Sequence, residues 1–337
     1  NAGAVSVSWV AVFSEADRFG GDEAFAEALS YAPSVIAMFE TDGYEEIPKT
    51  EGTVILGDDA GGVLAKGVTQ NIEPLRDVSL HGIVGATLEA DLLLRRMPLL
   101  MRSPDGWMAS FGTQLLKAVT GTETYVIKTN SNGIQEVRVK QLNPIPTDSK
   151  GRVWVNWVAP EETSLDAMNV QGKVVIVGTT AKGILPQVST PVGLLYPHQI
   201  QASLAETIIH ASNKQMPMIP QESMLYEAVI LVVGVLLVFT VINYLGVYLG
   251  VLSSFGLMSG TVALGYYLVS KGMLIDVTFA TLSEFIVASV TFYLNYKEQY
   301  KLKEQIKKQF EHYLDPRQVK KLQENPDLLK LGGEKRY

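Results

Sequence analysis

Cysteine is absent from the 337-residue chain, which excludes disulfides, thiolate metal sites and a cysteine nucleophile. Histidine is scarce: His81, His198, His210 and His312 are scattered without ligand spacing, so surface or helix-capping roles are expected rather than a metal site. Charged residues make up only 19% of the chain against 47% hydrophobic, a low share for a wholly soluble protein. Basic charge is in deficit, with 28 Lys and Arg against 35 Asp and Glu and a net charge of −7. That balance argues against a general nucleic-acid binder, and no nucleic-acid partner is expected. A basic-then-apolar leader is also lacking; the chain opens on Asn1 and stops just after Gly332-Gly333-Glu334, so both ends are expected to be cut.

What is present is a long apolar region. From Met224 to Tyr296 the sequence is almost continuously hydrophobic, interrupted at Asn243 and at the turn Ser270-Lys271-Gly272. It divides into Met224–Tyr244, Gly246–Ser270 and Met273–Tyr296, each roughly 20 residues or more and long enough to cross a hydrocarbon core of about 30 Å. A buried soluble bundle would carry a polar stripe on each helix, which these segments lack. Tyr226, Tyr244, Tyr293 and Tyr296 fall at segment ends, as interfacial aromatics do.

Lys297, Lys301, Lys303, Lys307 and Lys308 follow the third segment immediately, whereas the loops before and between the segments hold few basic residues. The positive-inside rule therefore makes the tail cytoplasmic, and three crossings put residues 1–222 outside. Residues 297–337 carry a net +4, leaving −11 for everything before them. In a bacterium that acidic part would be periplasmic and the chain a multi-pass inner-membrane protein in contact with lipid.

The exterior part alternates strands and helices. Val5–Phe13 and Ser34–Phe39 read as strands flanking an amphipathic helix, Asp22–Tyr31, with Ala24, Phe25, Ala28 and Leu29 on one face. This is a βαβ unit. Thr53–Leu56 is expected as a strand, Trp107–Val119 as a helix, and Tyr125–Lys128 with Ile134–Val139 as a hairpin turning at Asn130–Gly133. Arg152–Val158 suits a half-buried strand, Lys173–Val177 a buried one, and Gln199–Ala211 a last helix before the stiff linker Met216–Pro220. The expected fold is one α/β domain, then an all-α membrane region of three helices (223–296), then a cytoplasmic helical connector (297–337).

Several motifs compete for function. Phe19-Gly20-Gly21-Asp22-Glu23-Ala24-Phe25 looks like the G-G-D-E-F signature of diguanylate cyclases, but Ala24 intervenes and the following pattern is helical. Asp22 reads better as a helix N-cap. Gly178-Thr179-Thr180-Ala181-Lys182-Gly183 follows a strand and offers backbone N–H groups, yet lacks the Walker spacing and the G-K-[ST] ending. A strand-to-loop turn is the expected role, and Thr179, Thr180 and Thr190 are carried as a candidate loop for a small ligand at the strand's carboxyl end. Gly246/Gly250 and Gly256/Gly260 form two G-x-x-x-G pairs, compatible with packing inside the chain or with dimerisation.

Glu284 falls midway along the third segment, where an ionised carboxylate is costly. It should meet a polar partner, a cavity or another subunit, or be packed in protonated form. Beyond the membrane, Leu302, Ile306, Phe310 and Tyr313 make an apolar stripe suited to a short parallel coiled coil. Asp315-Pro316 and Asn325-Pro326 then start new short helices. Glu284, Ile306, Phe310, Tyr313 and Pro316 are the candidates for signal transmission.

The run from Phe310 to Arg336, ending Gly332-Gly333-Glu334-Lys335-Arg336, resembles the connector that enters class III adenylate/guanylate cyclase catalytic domains. Residues 2–211 resemble the second class of CHASE sensor domain, extracellular sensors associated with cyclases and histidine kinases. The matching features are Ala2-Gly3-Ala4 before a strand ending at Phe13, Ser14-Glu15-Ala16-Asp17 with Asp22, Pro146-Thr147-Asp148 with Gly151, and Lys173–Thr180. Thr190-Pro191, Tyr196-Pro197 and Ala202 complete them.

The resemblance implies a receptor cyclase, most simply an adenylate cyclase. It would be a homodimer through its transmembrane and signalling helices, under an extracytoplasmic ligand or protein of unknown identity. It further implies a membrane helix ahead of Asn1, and two Mg or Mn ions held by aspartates beyond Tyr337, so that no catalytic residue falls within this stretch. Two rivals stay open: another output, kinase or diguanylate cyclase, on the same sensor, and a membrane scaffold whose exterior domain binds a protein partner.

Overall fold

The computed structural model describes residues 3–41, 51–85, 87–157, 169–181, 183, 185–214 and 221–311. The chain forms two compact units, residues 1–222 and 223–337.

The first unit is built on a sheet of β1 (Ser6–Trp9), β2 (Val35–Glu40), β5 (Val68–Thr69), β6 (Leu80–Val84) and β14 (Val174–Val177). Its parallel strands lie in the order β14-β1-β2-β6, with β5 antiparallel to the end of β2. Val35 and Ala37 pack toward α3 (Phe111–Thr120), whereas Ile36 packs toward α1 (Asp22–Ser30) and α2 (Glu73–Arg76). Both faces of β2 are therefore covered, which is why its sequence is an unbroken apolar run rather than an alternation.

α3 is the central helix. Phe111, Leu115 and Ala118 face this sheet, while Leu116 joins a second core with Tyr125, Ile127, Val137, Leu204 and Ile208. That core rests on β3 (Gly52–Leu56), β10 (Thr124–Asn130), β11 (Gly133–Val139) and β12 (Ile145–Pro146), in the order β12-β11-β10-β3. α4 (Pro197–Ser212) packs on α3 so closely that a Cβ at Gly112 would meet the Leu204 side chain at 2.9 Å. Smaller ladders complete the unit: β4 (Val63–Leu64) with β8 (Leu100–Ser103) and β9 (Gly106–Ala109), β7 (Arg96–Pro98) with β13 (Arg152–Trp154), and β15 (Val188–Thr190) with β16 (Gly193–Leu195).

Some local expectations need correction. The helix expected from Trp107 starts at Phe111 instead, because Trp107 pairs with Arg102 in the β8–β9 hairpin and Ser110 caps the helix by accepting from the Thr113 N–H. Gly121, at φ 65°, ends it in the left-handed conformation. Asp22 is not the cap of α1: Gly21 holds that position, and the Asp22 carboxylate accepts the Asp17 N–H at 2.8 Å. The buried face of α1 is Ala26 and Leu29 with Phe25 partly covered, leaving Ala24 and Ala28 exposed. β14 is half-exposed along its whole length rather than buried, and β13 ends at Trp154. The expected linker at Met216–Pro220 lies outside the described residues.

The second unit is three helices, α5 (Met224–Leu245), α6 (Val247–Ser270) and α7 (Thr278–Glu311). α5 and α6 are long and apolar enough to cross a membrane, with mean hydropathy 2.7 and 1.3 over their most apolar windows. Only 11% and 17% of those windows is buried within the chain, the reverse of a soluble core helix. α7 starts at Thr278, five residues after the expected Met273, and Thr281, Ser283, Glu284, Ser289 and Thr291 make its first half less apolar. It runs without a break to Glu311, so the third apolar segment and the lysine-bearing stalk are one helix.

Glu227 accepts the Asp276 N–H at 2.9 Å, Gly234 lies against Glu284, and Asn243 meets Asn295 at 3.2 Å. Their near-constant sequence offset makes α5 and α7 parallel. Thr261 with Glu284 and Gly265 with Val277 make α6 antiparallel to α7.

Candidate functional site

In the first unit the strand order reverses at β1, which continues through α1 to β2 on one side and has β14 on the other. Carboxyl ends of strands at such a reversal open a crevice where α/β folds place ligands. Gly178, Thr179 and Thr180 leave β14 there. A Cβ at Gly178 would run into the His198 ring, so the first turn of α4 lies directly on this loop. Tyr196 donates its hydroxyl to the Thr180 carbonyl at 3.1 Å and stacks on His198 with ring centroids 5.8 Å apart.

Thr179 Oγ1 accepts the Ala181 N–H at 3.2 Å, closing a local turn. Thr190 is buried and donates to the Gly193 carbonyl at 2.6 Å, closing the β15–β16 hairpin. The loop is not followed by a helix: α4 begins only at Pro197, which has no N–H, and the Tyr196 N–H is taken by Gln199 Oε1 at 2.7 Å. Backbone donors for an anion are therefore scarce at this helix start.

A second constellation was invisible in the sequence. Arg96 forks onto both carboxylate oxygens of Glu89, at 2.7 and 2.9 Å, and reaches Asp148 at 3.4 Å. Arg152 binds the same Asp148 at 2.9 Å, and the Arg96 guanidinium lies 5.2 Å from the Trp154 ring centroid. The hydrogen bonds from Arg96, with Arg152 and Arg95 nearby, hold the Glu89 carboxyl below the usual carboxylate range. A polar cleft of about 570 Å³ opens beside them, lined by Asn130, Asn132, Thr147 and Lys150, and Thr147 Oγ1 is buried there without a hydrogen-bond partner. Glu89, Arg96, Asp148 and Arg152 come together only because β7 pairs with β13.

A third polar group is buried between α3 and the second sheet. Glu51 pairs with Lys117 and accepts from Gln114 Nε2 at 2.5 Å, while Tyr125 donates to Gln114 Oε1 at 2.7 Å. Burial, with Glu51 nearby, pushes the Tyr125 hydroxyl well above its ordinary value. Gln114 Nε2 also donates to the His81 carbonyl at 3.0 Å. Burial, with Arg76 nearby, lowers His81 to about 4. His81 is thus a partly buried neutral imidazole rather than a surface histidine.

In the second unit Glu284 is fully buried where the three helices meet. Thr261 of α6 donates to its Oε1 at 2.9 Å, and Gly234 of α5 leaves the space its carboxyl occupies. Its Oε2 is buried without a partner. Of the first G-x-x-x-G pair, Gly250 packs on Ile242 of α5, and Gly246 makes the turn between α5 and α6 at φ 74°. Gly256 and Gly260 face open space. Ile306 is exposed on α7 and Phe310 lies in its last turn; Tyr313 and Pro316 fall outside the described residues. Among the described residues no three His, Asp or Glu side chains gather as a metal site.

A family model for the CHASE2 domain matches residues 1–241. No curated protein and no solved structure matches the chain. CHASE2 domains are sensors that occur in cyclases and kinases. With 241 of 337 residues covered by that model, the chain belongs to the CHASE2 family and carries an extracytoplasmic sensor domain followed by long helices, two of them candidate membrane spans.

Proposed function

We propose that the chain is the sensor, membrane and transmitter part of a bacterial receptor nucleotide cyclase that works as a homodimer and makes cyclic AMP from ATP. The observation that carries the reading is α7: one unbroken helix joins an apolar half packed on α5 and α6 to a charged stalk bearing the stripe Leu302 and Ile306. Family membership supplies the sensing end. The Gly332-Gly333-Glu334-Lys335-Arg336 run, which resembles the entry to a class III cyclase domain, supports the output.

In this reading α7 is a third crossing, the lysines beyond it are cytoplasmic, and the sensor faces the periplasm. A signal can act only through differential affinity for two states of the sensor. Those states would set the paired stalks differently and so change the spacing of two catalytic domains. Glu284, held by Thr261 in the Gly234 notch, would fix the position of α7 against α5 and α6. The two metal ions belong to a catalytic domain beyond this stretch, and no residue here is proposed to hold them.

Two experiments test the reading. Cysteines placed singly at Asp148 and Lys303 should label with an impermeant thiol reagent from opposite sides of the membrane; labelling from one side overturns the topology. In the full-length receptor supplied with ATP and Mg²⁺ or Mn²⁺, Phe310→Ala and Pro316→Ala should change cyclic AMP output. Absence of cyclic AMP from the parent protein removes the adenylate cyclase reading and leaves another output, kinase or diguanylate cyclase, or a scaffold.

A further inference from the structure

α6 and α7 leave a groove of about 500 Å³ along their outer side. Phe255 and Phe285 form its exposed rims, and Ser254 and Met258 its buried floor. Ser254 and Ser289 donate to carbonyls one turn back in their own helices, at 2.7 and 2.8 Å. Their hydroxyls are thereby satisfied, and the groove suits an apolar guest. Because α6 and α7 are antiparallel, Tyr248 and Tyr296 mark the end of the groove that adjoins the stalk.

The length of the groove selects its occupant. From Phe285 to Tyr296 the α7 wall rises about 16 Å, and from Met258 to Tyr248 the α6 wall rises about 15 Å. Half of a hydrocarbon core of about 30 Å is the same depth, that of one leaflet. Phe285 adjoins Glu284, which lies against Gly234 halfway along α5, so the groove runs from mid-membrane to the tyrosines. A transmembrane helix from a second copy runs through both leaflets, whereas an acyl chain occupies one.

We propose that this groove holds an acyl chain of an anionic phospholipid from the stalk-side leaflet, with the lipid phosphate paired to Lys303; the inference rests on the topology proposed above, in which α7 is a third crossing. Lys303 follows Tyr296 by seven residues, close to two turns, so it stands on the groove side of α7. It lies about 10 Å beyond the tyrosine, and helix side chains lean toward the N-terminus, here back toward the membrane, which brings its ammonium to the headgroup layer. No acidic residue lies three or four positions from Lys303, whereas Lys308 is paired with Glu304 at 3.7 Å. Lys301, five residues past Tyr296, is about 140° round the helix and faces away from the groove.

The full chain is reconstituted in vesicles of equal parts phosphatidylglycerol and phosphatidylcholine, and the lipid it retains in mild detergent is counted by native mass spectrometry. Phosphatidylglycerol should be retained in preference. Lys303→Gln should cut that preference about fivefold, the share of one lysine at a charged surface, and Lys301→Gln should leave it as in the parent. Ala288→Trp, which fills the groove, should remove retained lipid of both kinds. If that variant fails to fold, the two lysine variants, both on the exposed stalk, still decide. Equal retention of the two lipids overturns the site, and equal losses in the two lysine variants reduce it to diffuse attraction. Lipid retained by a folded Ala288→Trp places the lipid elsewhere, and a dimer mass abolished by Ala288→Trp gives the groove to a second copy; either overturns the proposal. Cysteine labelling of Asp148 and Lys303 from one side removes the topology and this site with it, whereas labelling from opposite sides without a lipid preference removes the site alone.

Discussion

Gly234 and Glu284 share one notch: a Cβ at position 234 would overlap Oε1 of the Glu284 carboxylate. Neither residue alone explains the contact. The glycine makes room for a carboxyl group that is fully buried, and Thr261 supplies its hydrogen bond. Gly234→Ala should therefore loosen the helical unit by about 1–3 kcal/mol, the usual range for overpacking. Thermal unfolding in detergent reads the loss. Glu284→Ala in the Gly234→Ala background should recover part of it, and no recovery would mean that the clash lies elsewhere.

Lys117 and Glu51 form a pair whose side chains are only 12% and 14% exposed. Lys117→Met leaves the Glu51 carboxylate with Gln114 alone, and breaking such a buried pair costs about 3–5 kcal/mol. Replacing both residues, as Lys117→Met with Glu51→Leu, should recover most of the stability in chemical denaturation. Equal losses in single and double mutants would make the contribution one of packing.

His81 sets a pH dependence with a definite sign. Its folded value of about 4 lies below the ordinary 6.5, so the unfolded chain binds the proton first as pH falls. Stability contributed by the neutral ring is complete above about pH 6.5 and declines as pH falls toward about 4, with up to one proton taken up on unfolding. His81→Gln should remove that slope from a plot of unfolding free energy against pH.

Arg96→Ala should release Glu89. The Glu89 carboxyl is depressed in the folded state, so its contribution is present above its ordinary value of 4.5 and lost as pH falls through the lower folded value. In the variant this acid-side loss should flatten, and Arg152 with Asp148 should persist as a pair. Carboxyl titration by NMR of Glu89 would read the change; an unmoved titration would leave Arg96 with no electrostatic role there.

The parts of the fold readable from sequence were those decided by local pattern. β2 was legible because burial on both faces makes its run continuously apolar, and α5 and α6 because length and hydropathy suffice. The start of α3 was misread because Trp107, apolar and helix-compatible, pairs five residues back with Arg102 in a tight hairpin that comes before the helix. The Glu89–Arg96–Asp148–Arg152 cluster had no sequence signal, since its members meet through a ladder joining distant segments. Glu284 stood out as an oddity in an apolar segment, but its notch required knowing that α5 and α7 are parallel. Thr179 and Thr180 fell at the reversal point of the sheet, while Thr190 was claimed by its own hairpin.

No proline or glycine interrupts α7 between Thr278 and Glu311. Its 34 residues make a rod of about 50 Å. Such a rod is a lever: a tilt of about 5° at the Glu284 end swings the far end by about 4 Å, and twist about its axis arrives undiminished. Small rearrangements among the three helices thus become displacements the size of a side chain at Glu311, without any joint between.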